Sequence, residues 1–505
     1  VAGIGIIDRI VSAFAPEAGL RRTRARLQAD AATRNFTALY DGAARTHRTA
    51  GRRISSTSAD RETAGAIRRL RDVARDLVRN NAYAARAVQV ISANMVGAGI
   101  IPSVQCESAP LKRRVQALVR QHLETTAVDA DGRNNIYGLQ ALVARTVAES
   151  GEALLLRIRT PASRRLPVPL QVRVLEPDYL DSTKDQPIAG GGRVSQGVEY
   201  DRHGTRVAYW LFDAHPGDTT SWQRETSRRI PADDVAHIYR LDRPGQSRGV
   251  TWLAPVLMPI WDLGEYEDAE LVRQRVAACF AAFVMGEDQS STLASANGAS
   301  MQGLPVDALE PGTIQSLPNG TDIKFSSPPL TAGYPEYLRS KQRSIAIGLN
   351  VPYEALTGDL ERTNFSSGRM GWLEFSRAID QWRWHMLIPQ MCDPICGWFR
   401  EAAAIGLNGR TDYTFSHTPP RREMIDPTKE IPAARDAVRA GFSSRSEEVR
   451  KLGYDPETVE QEIAAENARA DGLAQKFDSD GRYPATMPLG GQIRDDADGT
   501  QFADR

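Results

Sequence analysis

Lysine is scarce in this sequence, at seven of 505 residues, and histidine is no commoner. Lys+Arg and Asp+Glu nevertheless balance at 63 each, so nearly all the positive charge is Arg and no net field holds the chain to a nucleic acid or an anionic membrane. Any contact with a polyanion is then local. Arg keeps its charge and forms bidentate pairs, which suits a chain with much interface, and GC-rich coding explains the bias equally well. Four cysteines (Cys106, Cys279, Cys392, Cys396) give no disulfide framework. The longest apolar run, Val276 to Met285, is ten residues, well short of the ~20 that span a bilayer, so no membrane helix is expected. Val1 to Phe14 is striped at helical spacing but interrupted by Asp8 and Arg9, unlike a secretory leader, so the chain reads as made and used in the cytosol.

Catalytic machinery is missing as well. A P-loop ends in Gly-Lys-Ser/Thr to cradle phosphates, and no Gly-Lys dipeptide occurs. The seven His are never closer than twelve residues, which removes HExxH and finger-type zinc sites. Cys392 and Cys396, four apart in an apolar segment, read as buried thiols rather than a metal or redox pair. No cofactor, no metal and no catalytic residue is expected.

What is present is a modular, mixed chain. Apolar residues make up 41% and charged residues 25%, ordinary globular values, and the length calls for several modules. The first eighty residues hold 16 Arg against 8 acids, an arm suited to DNA, to an acidic neighbour or simply to solvent. Ala64 to Val96 has helical spacing and stops at Gly97-Ala98-Gly99. Leu154 to Arg159, Leu170 to Leu175 and Val207 to Phe212 have β texture and are separated by turn clusters such as Gly190-Gly191-Gly192 and His203-Gly204, making an α/β module. After Pro255 a helix is expected as far as Phe283, with five acids (Asp262, Glu265, Glu267, Asp268, Glu270) in nine residues. At 100° per residue they cannot share one face, so some face an aqueous lumen or a neighbouring subunit and the rest pair, with Arg273 or Arg275 as partners. Glu287 to Pro329 is rich in Ser, Gly, Pro and Asn, with β-like runs near 312–315 and 322–325, and reads as a small excursion before a returning helix, Glu336 to Leu349. Leu356 to Gly371 reads as a polar loop and Trp372 to Ile405 as a long helix kinked at Pro389 and Pro394. Ala433 to Ala470 reads as helical, and the end from Asp471 as an acidic flexible tail.

Ordered blocks then carry a resemblance. Arg79-Asn80-Asn81, Gly97-Ala98-Gly99-Ile100, Asp129-Ala130-Asp131-Gly132, Tyr137-Gly138-Leu139-Gln140 and Ser150-Gly151-Glu152 come first. Leu175-Glu176-Pro177-Asp178, Gly197 to Asp201, Tyr209 to Phe212, Arg243 to Val250, Tyr266 to Glu270, Gly312-Thr313-Ile314, Val351-Pro352-Tyr353, Gly441 to Arg445 and Gly453 to Glu457 follow. Over about residues 20 to 468 the sequence resembles the lambda-type portal proteins of tailed bacteriophages.

The resemblance implies an α+β multidomain portal fold and a ring of twelve subunits at one capsid vertex, around a channel for double-stranded DNA. Its implied parts are a basic arm (1–63), an α/β wing (64–255), stem helices (256–286 and 334–351) flanking a clip (287–333), a tunnel-loop region (352–371), a long wing/crown helix (372–407), a crown (408–470) and the tail (471–505). Terminase, a head-tail adaptor and the major capsid protein are the implied partners, with no membrane, and the implied location is the virion after synthesis in the host cytoplasm. Arg362, Asn364 and Arg369 are the expected DNA contacts, donors to phosphate without base-reading geometry. A capsid-associated adaptor and a metal-dependent nuclease are the alternative readings. The acids of 262–270 lie too close along one helix to converge on a metal pair.

Overall fold

The computed structural model describes residues 56–475 apart from 219–225, 279–281, 286–321, 326–332, 362 and 421–425, together with residues 24–25, 477 and 482. The chain divides into residues 1–58 and 59–505. All elements named below belong to the second unit.

Helices α1 (Ala59–Thr63), α2 (Ile67–Asn80) and α3 (Ala82–Val96) open it, followed by β1 (Ile101–Gln105), α4 (Ala109–His122) and α5 (Ile136–Ser150). The expected single helix from Ala64 is two, because Asn81 leaves the helical region and its Oδ1 accepts the N–H groups of Tyr83 and Ala84, capping α3. Eight strands come next: β2 (Glu152–Arg159), β3 (Leu170–Leu175), β4 (Gln186–Pro187), β5 (Arg193–Ser195), β6 (Val198–Tyr200), β7 (Arg206–Phe212), β8 (Ser227–Pro231) and β9 (Val235–Tyr239). They form a three-stranded sheet in the order β3-β2-β9 and a five-stranded meander, β4 to β8. Every pair of these strands is antiparallel. The region expected as α/β is therefore mixed helix and sheet without a parallel sheet, since no helix crosses over between its paired strands.

Strand β2 is buried on both faces, and its period of two sorts the core. Ala153 and Leu155 join the large cluster built by α3, α5 and the later helices, whereas Leu154 and Leu156 meet Leu175, Tyr209 and Leu211 under the five-stranded sheet.

Helix α6 (Leu257–Ala278) follows, then an antiparallel ribbon of β10 (Ala282–Met285) and β11 (Asp322–Phe325), then the return helix α7 (Tyr334–Leu349). The helix thus ends before Phe283, which is a strand residue. Of the two β-like runs expected in the excursion, 322–325 is a strand and 312–315 lies outside the described residues.

Helices α8 (Tyr353–Thr357) and α9 (Phe365–Trp382) lead into a π-helical segment, Arg383–Cys392, and α10 (Asp393–Ala403). The segment contains Pro389, and Pro394 lies in the first turn of α10. The Asp393 N–H reaches the Ile388 carbonyl, so wider turns carry the chain past both prolines. From this segment Arg383 donates to the Met95 and Asn94 carbonyls (2.7 and 2.8 Å) at the end of α3, and Gln390 accepts the Tyr239 N–H (2.9 Å) at the edge of β9. Cys392 and Cys396 are buried, as expected, and burial pushes both thiols up. Strand β12 (Thr414–Thr418) pairs with β1. The stretch expected as helical, Ala433 to Ala470, is three helices, α11 (Pro427–Arg439), α12 (Arg445–Lys451) and α13 (Pro456–Gly472), and α11 and α12 bury none of their own residues.

Candidate functional site

The five acids on α6 divide as helical geometry requires. Asp262, Glu265 and Asp268 are exposed, Glu267 is half-buried and Glu270 is buried. Glu267 accepts the Tyr83 hydroxyl (2.9 Å), which ties α6 to α3. Glu270 pairs with Arg273, one of the two expected partners, at 2.8 Å from its Nε, and this hydrogen bond lowers the Glu270 carboxyl. The acids therefore do not converge on one point.

The loop after α8 is shorter than the sequence suggests. Leu356 is a buried residue of α8, and α9 begins at Phe365, so Ser366, Ser367 and Gly368 are helical. Asn364 caps α9, its Oδ1 accepting the Ser367 N–H at 2.8 Å. Arg369 sits on the first turns of α9, 3.8 Å from Glu430 of α11. Arg362 lies outside the described residues.

The strongest electrostatic feature is one with no local signal in the sequence. Glu152, buried at the start of β2, accepts from four donors: Arg248 Nε and Nη2 (2.9 and 2.6 Å), His237 Nε2 (2.9 Å) and the Gly249 N–H (2.8 Å). Arg71 lies 4.0 Å from Glu152 and 3.2 Å from Asp178, and Arg75 Nη2 lies 2.8 Å from both Asp178 and Glu176. Burial raises the Glu152 carboxyl, but Arg248 and His237 outweigh it and hold the group well below the usual carboxylate range. Arg71 and Arg75 do the same for Asp178. Three of the sequence blocks, 150–152, 175–178 and 243–250, meet here.

Residues 245–249 also spell Gly-x-Ser-x-Gly, the pattern of a hydrolase nucleophile elbow. Ser247 is buried, and its hydroxyl and N–H both bond Asp60 (2.6 and 2.7 Å), so this serine anchors α1. His237 is spoken for by Glu152, so this imidazole does not serve Ser247 as a base. Glu176, Asp178 and His215 place their donor atoms within 4.8 Å of one another. Arg75 already stands between the two carboxylates, and this fits a guanidinium rather than a metal ion.

Acid should loosen the fold, through His237 of this network and through His122 at the end of α4. Burial lowers the imidazoles of His237 and of His122, the latter to about 4. The unfolded chain takes up these protons near pH 6.5, so it binds more protons than the folded chain across the window between, and stability rises with pH there. We expect the urea midpoint to fall as pH drops from 7 toward 4, and to fall less in His122→Leu. A midpoint independent of pH over this range contradicts the assignment.

A family model described as phage portal protein, lambda family, matches residues 45–383. The chain belongs to this family. A probable portal protein of Halomonas phage phiHAP-1 is 26% identical over 423 residues, covering 79% of this chain and 80% of that one. Portal protein B of Escherichia phage lambda is 24% identical over 454 residues, covering 78% and 81%. Among solved structures, a chain of the native gene transfer agent virion aligns with a TM-score of 0.45 at 15% identity, covering 80% of this chain and 96% of that one. An HK97-family phage portal protein from Corynebacterium diphtheriae gives 0.33 at 11%, covering 70% and 96%. Among the described residues of this portal-family chain, no helix is long and apolar enough to cross a membrane.

Proposed function

We propose that the chain assembles into a closed ring, of twelve subunits, at one vertex of a phage capsid, and that double-stranded DNA is packaged and later ejected through its centre. Membership of the portal family over residues 45–383 carries this reading. The run α6, ribbon β10–β11, α7 supports it, because a two-stranded ribbon is marginal alone and calls for neighbours. In this reading α6 and α7 are the stem, residues 287–333 the clip that meets terminase and then the head-tail adaptor, residues 64–255 the wing, and α11 to α13 the crown. The major capsid protein surrounds the ring. Light scattering at micromolar concentration and physiological salt tests the assembly: one closed oligomer is expected, and a monodisperse monomer overturns the proposal.

The loop before α9 and the first turns of that helix, with Arg362 and Arg369, are the proposed DNA contact. Such contact has to ignore sequence, since a tight base contact is a trap along a genome. Changing both Arg to Ala is expected to leave ring assembly intact and to lower the DNA retained in filled heads. Heads that package and hold full-length DNA like the parent place the contact elsewhere. Asn364 belongs to this proposed contact too: its Oδ1 caps α9 and its side-chain amide N–H groups are the phosphate donors.

A further inference from the structure

The exposed side of α6 is more than acidic. At 100° per residue, Met258, Trp261, Asp262, Glu265, Asp268 and Val272 fall within an arc of about 120°, opposite Glu267 and Glu270. Met258, Trp261 and Val272 are 60%, 40% and 56% exposed, so large apolar side chains alternate with the carboxylates along the face. Asp262, Glu265 and Asp268 make no ion pair among the described residues. A wall that only had to keep DNA phosphates away would need the acids and not the apolar residues, whereas an apolar face threaded with one sign of charge is how a protein interface achieves both burial and choice of partner.

The same chain carries a complement. The outward side of α7 forms a groove of about 470 Å³ lined by Glu336, Arg339, Ser340, Arg343, Ser344 and Ile347. Arg339 lies 3.9 Å from Asp359 and 3.8 Å from Glu361, so Arg343 is the cation of this face without a carboxylate partner among the described residues; Ser340 and Ser344 lie beside it and Ile347 is 79% exposed. The Arg343 guanidinium lies 5.4 Å over the Tyr353 ring, which holds it at the rim.

We infer that the acidic, apolar face of α6 in one subunit docks into the arginine-rimmed groove of α7 in the next. The two surfaces differ, so the contact is head-to-tail, the kind that closes into a ring. The inference rests on the proposed ring and names its stem interface. It assigns Asp262, Glu265 and Asp268 to subunit contact rather than to the channel wall.

The test is a charge exchange by parts. One variant, Glu265→Arg with Asp268→Arg, makes both surfaces basic. A second, Ser340→Glu with Arg343→Glu, makes both acidic. Each variant alone is expected to lose the ring species in mass photometry, and an equimolar mixture is expected to restore it as alternating subunits. A mixing-independent check uses Ser344→Lys, which keeps the charge sense of the groove: carbodiimide treatment of its rings should join residue 344 of one subunit to Glu265 or Asp268 of the next, read by mass spectrometry of isotopically mixed rings. If the parent forms rings while both reversed variants also assemble alone, or the mixture fails to assemble and the 344 link is absent, the interface is wrong and the ring stands. A parent that stays monomeric overturns the ring and this interface together.

Discussion

Replacing Glu152 by Ala is expected to cost the folded chain roughly 3–5 kcal/mol, because the change strands charge in the core instead of removing it. Arg248 is 1% exposed, and it keeps only its bond to the Gln196 carbonyl (3.0 Å) once the carboxylate is gone. Arg71 loses one of its two carboxylates, His237 its partner and the Gly249 N–H its acceptor. Four buried groups are therefore affected by one substitution, which ties α2, β2, β9 and the 243–250 loop together. Urea denaturation followed by tryptophan fluorescence checks this. A loss below about 1 kcal/mol, the size of an exposed ion pair, means that the network is not what holds these elements in register.

Gly249→Ala should be comparably damaging for a steric reason. A Cβ at 249 meets the Gly151 carbonyl oxygen at 2.2 Å, Tyr239 Cβ at 2.6 Å and Glu152 Cβ at 2.8 Å. Two of these are fixed points of the sheet, so the 243–250 loop has to lift away, taking Arg248 with it. Gly151 faces the same approach from the other side with φ of +93°, so a side chain there adds backbone strain to the clash. We expect Gly249→Ala to yield mostly insoluble protein on expression at 37 °C, read as the soluble fraction relative to the parent. Soluble yield and melting temperature equal to the parent contradict the close approach.

The strands are legible in the sequence because Leu154 to Arg159, Leu170 to Leu175 and Val207 to Phe212 are short apolar, Val- and aromatic-containing runs bounded by turn clusters such as Gly190-Gly191-Gly192 and His203-Gly204. Their direction is not, since a period of two is the same in parallel and antiparallel pairs. The end of α6 is hidden because Val276 to Met285 is uniformly apolar and has no period to change. The start of α9 is hidden because Gly368 and Gly371 weigh against a helix, although Asn364 three residues before Ser367 is a capping signal. The acids of α6 can be counted from the sequence and shown not to share a face, and the structure sorts them. The Glu152 network has no local signal at all: Arg71, Glu152, Asp178, His237 and Arg248 are scattered over 178 positions, and only folding brings them together. The one hint is that three separate blocks, each ordinary in chemistry, carry the family likeness.

In the proposed assembly, copies of this chain close around a hole wide enough for duplex DNA. Electron micrographs of the purified full-length chain, averaged over particles lying with the ring axis along the beam, test it most directly. Single rings with a stain-filled centre and cyclic symmetry, twelvefold, are expected, at a mass about twelve times that of the chain. Closed shells, open filaments or compact particles without a central hole contradict it.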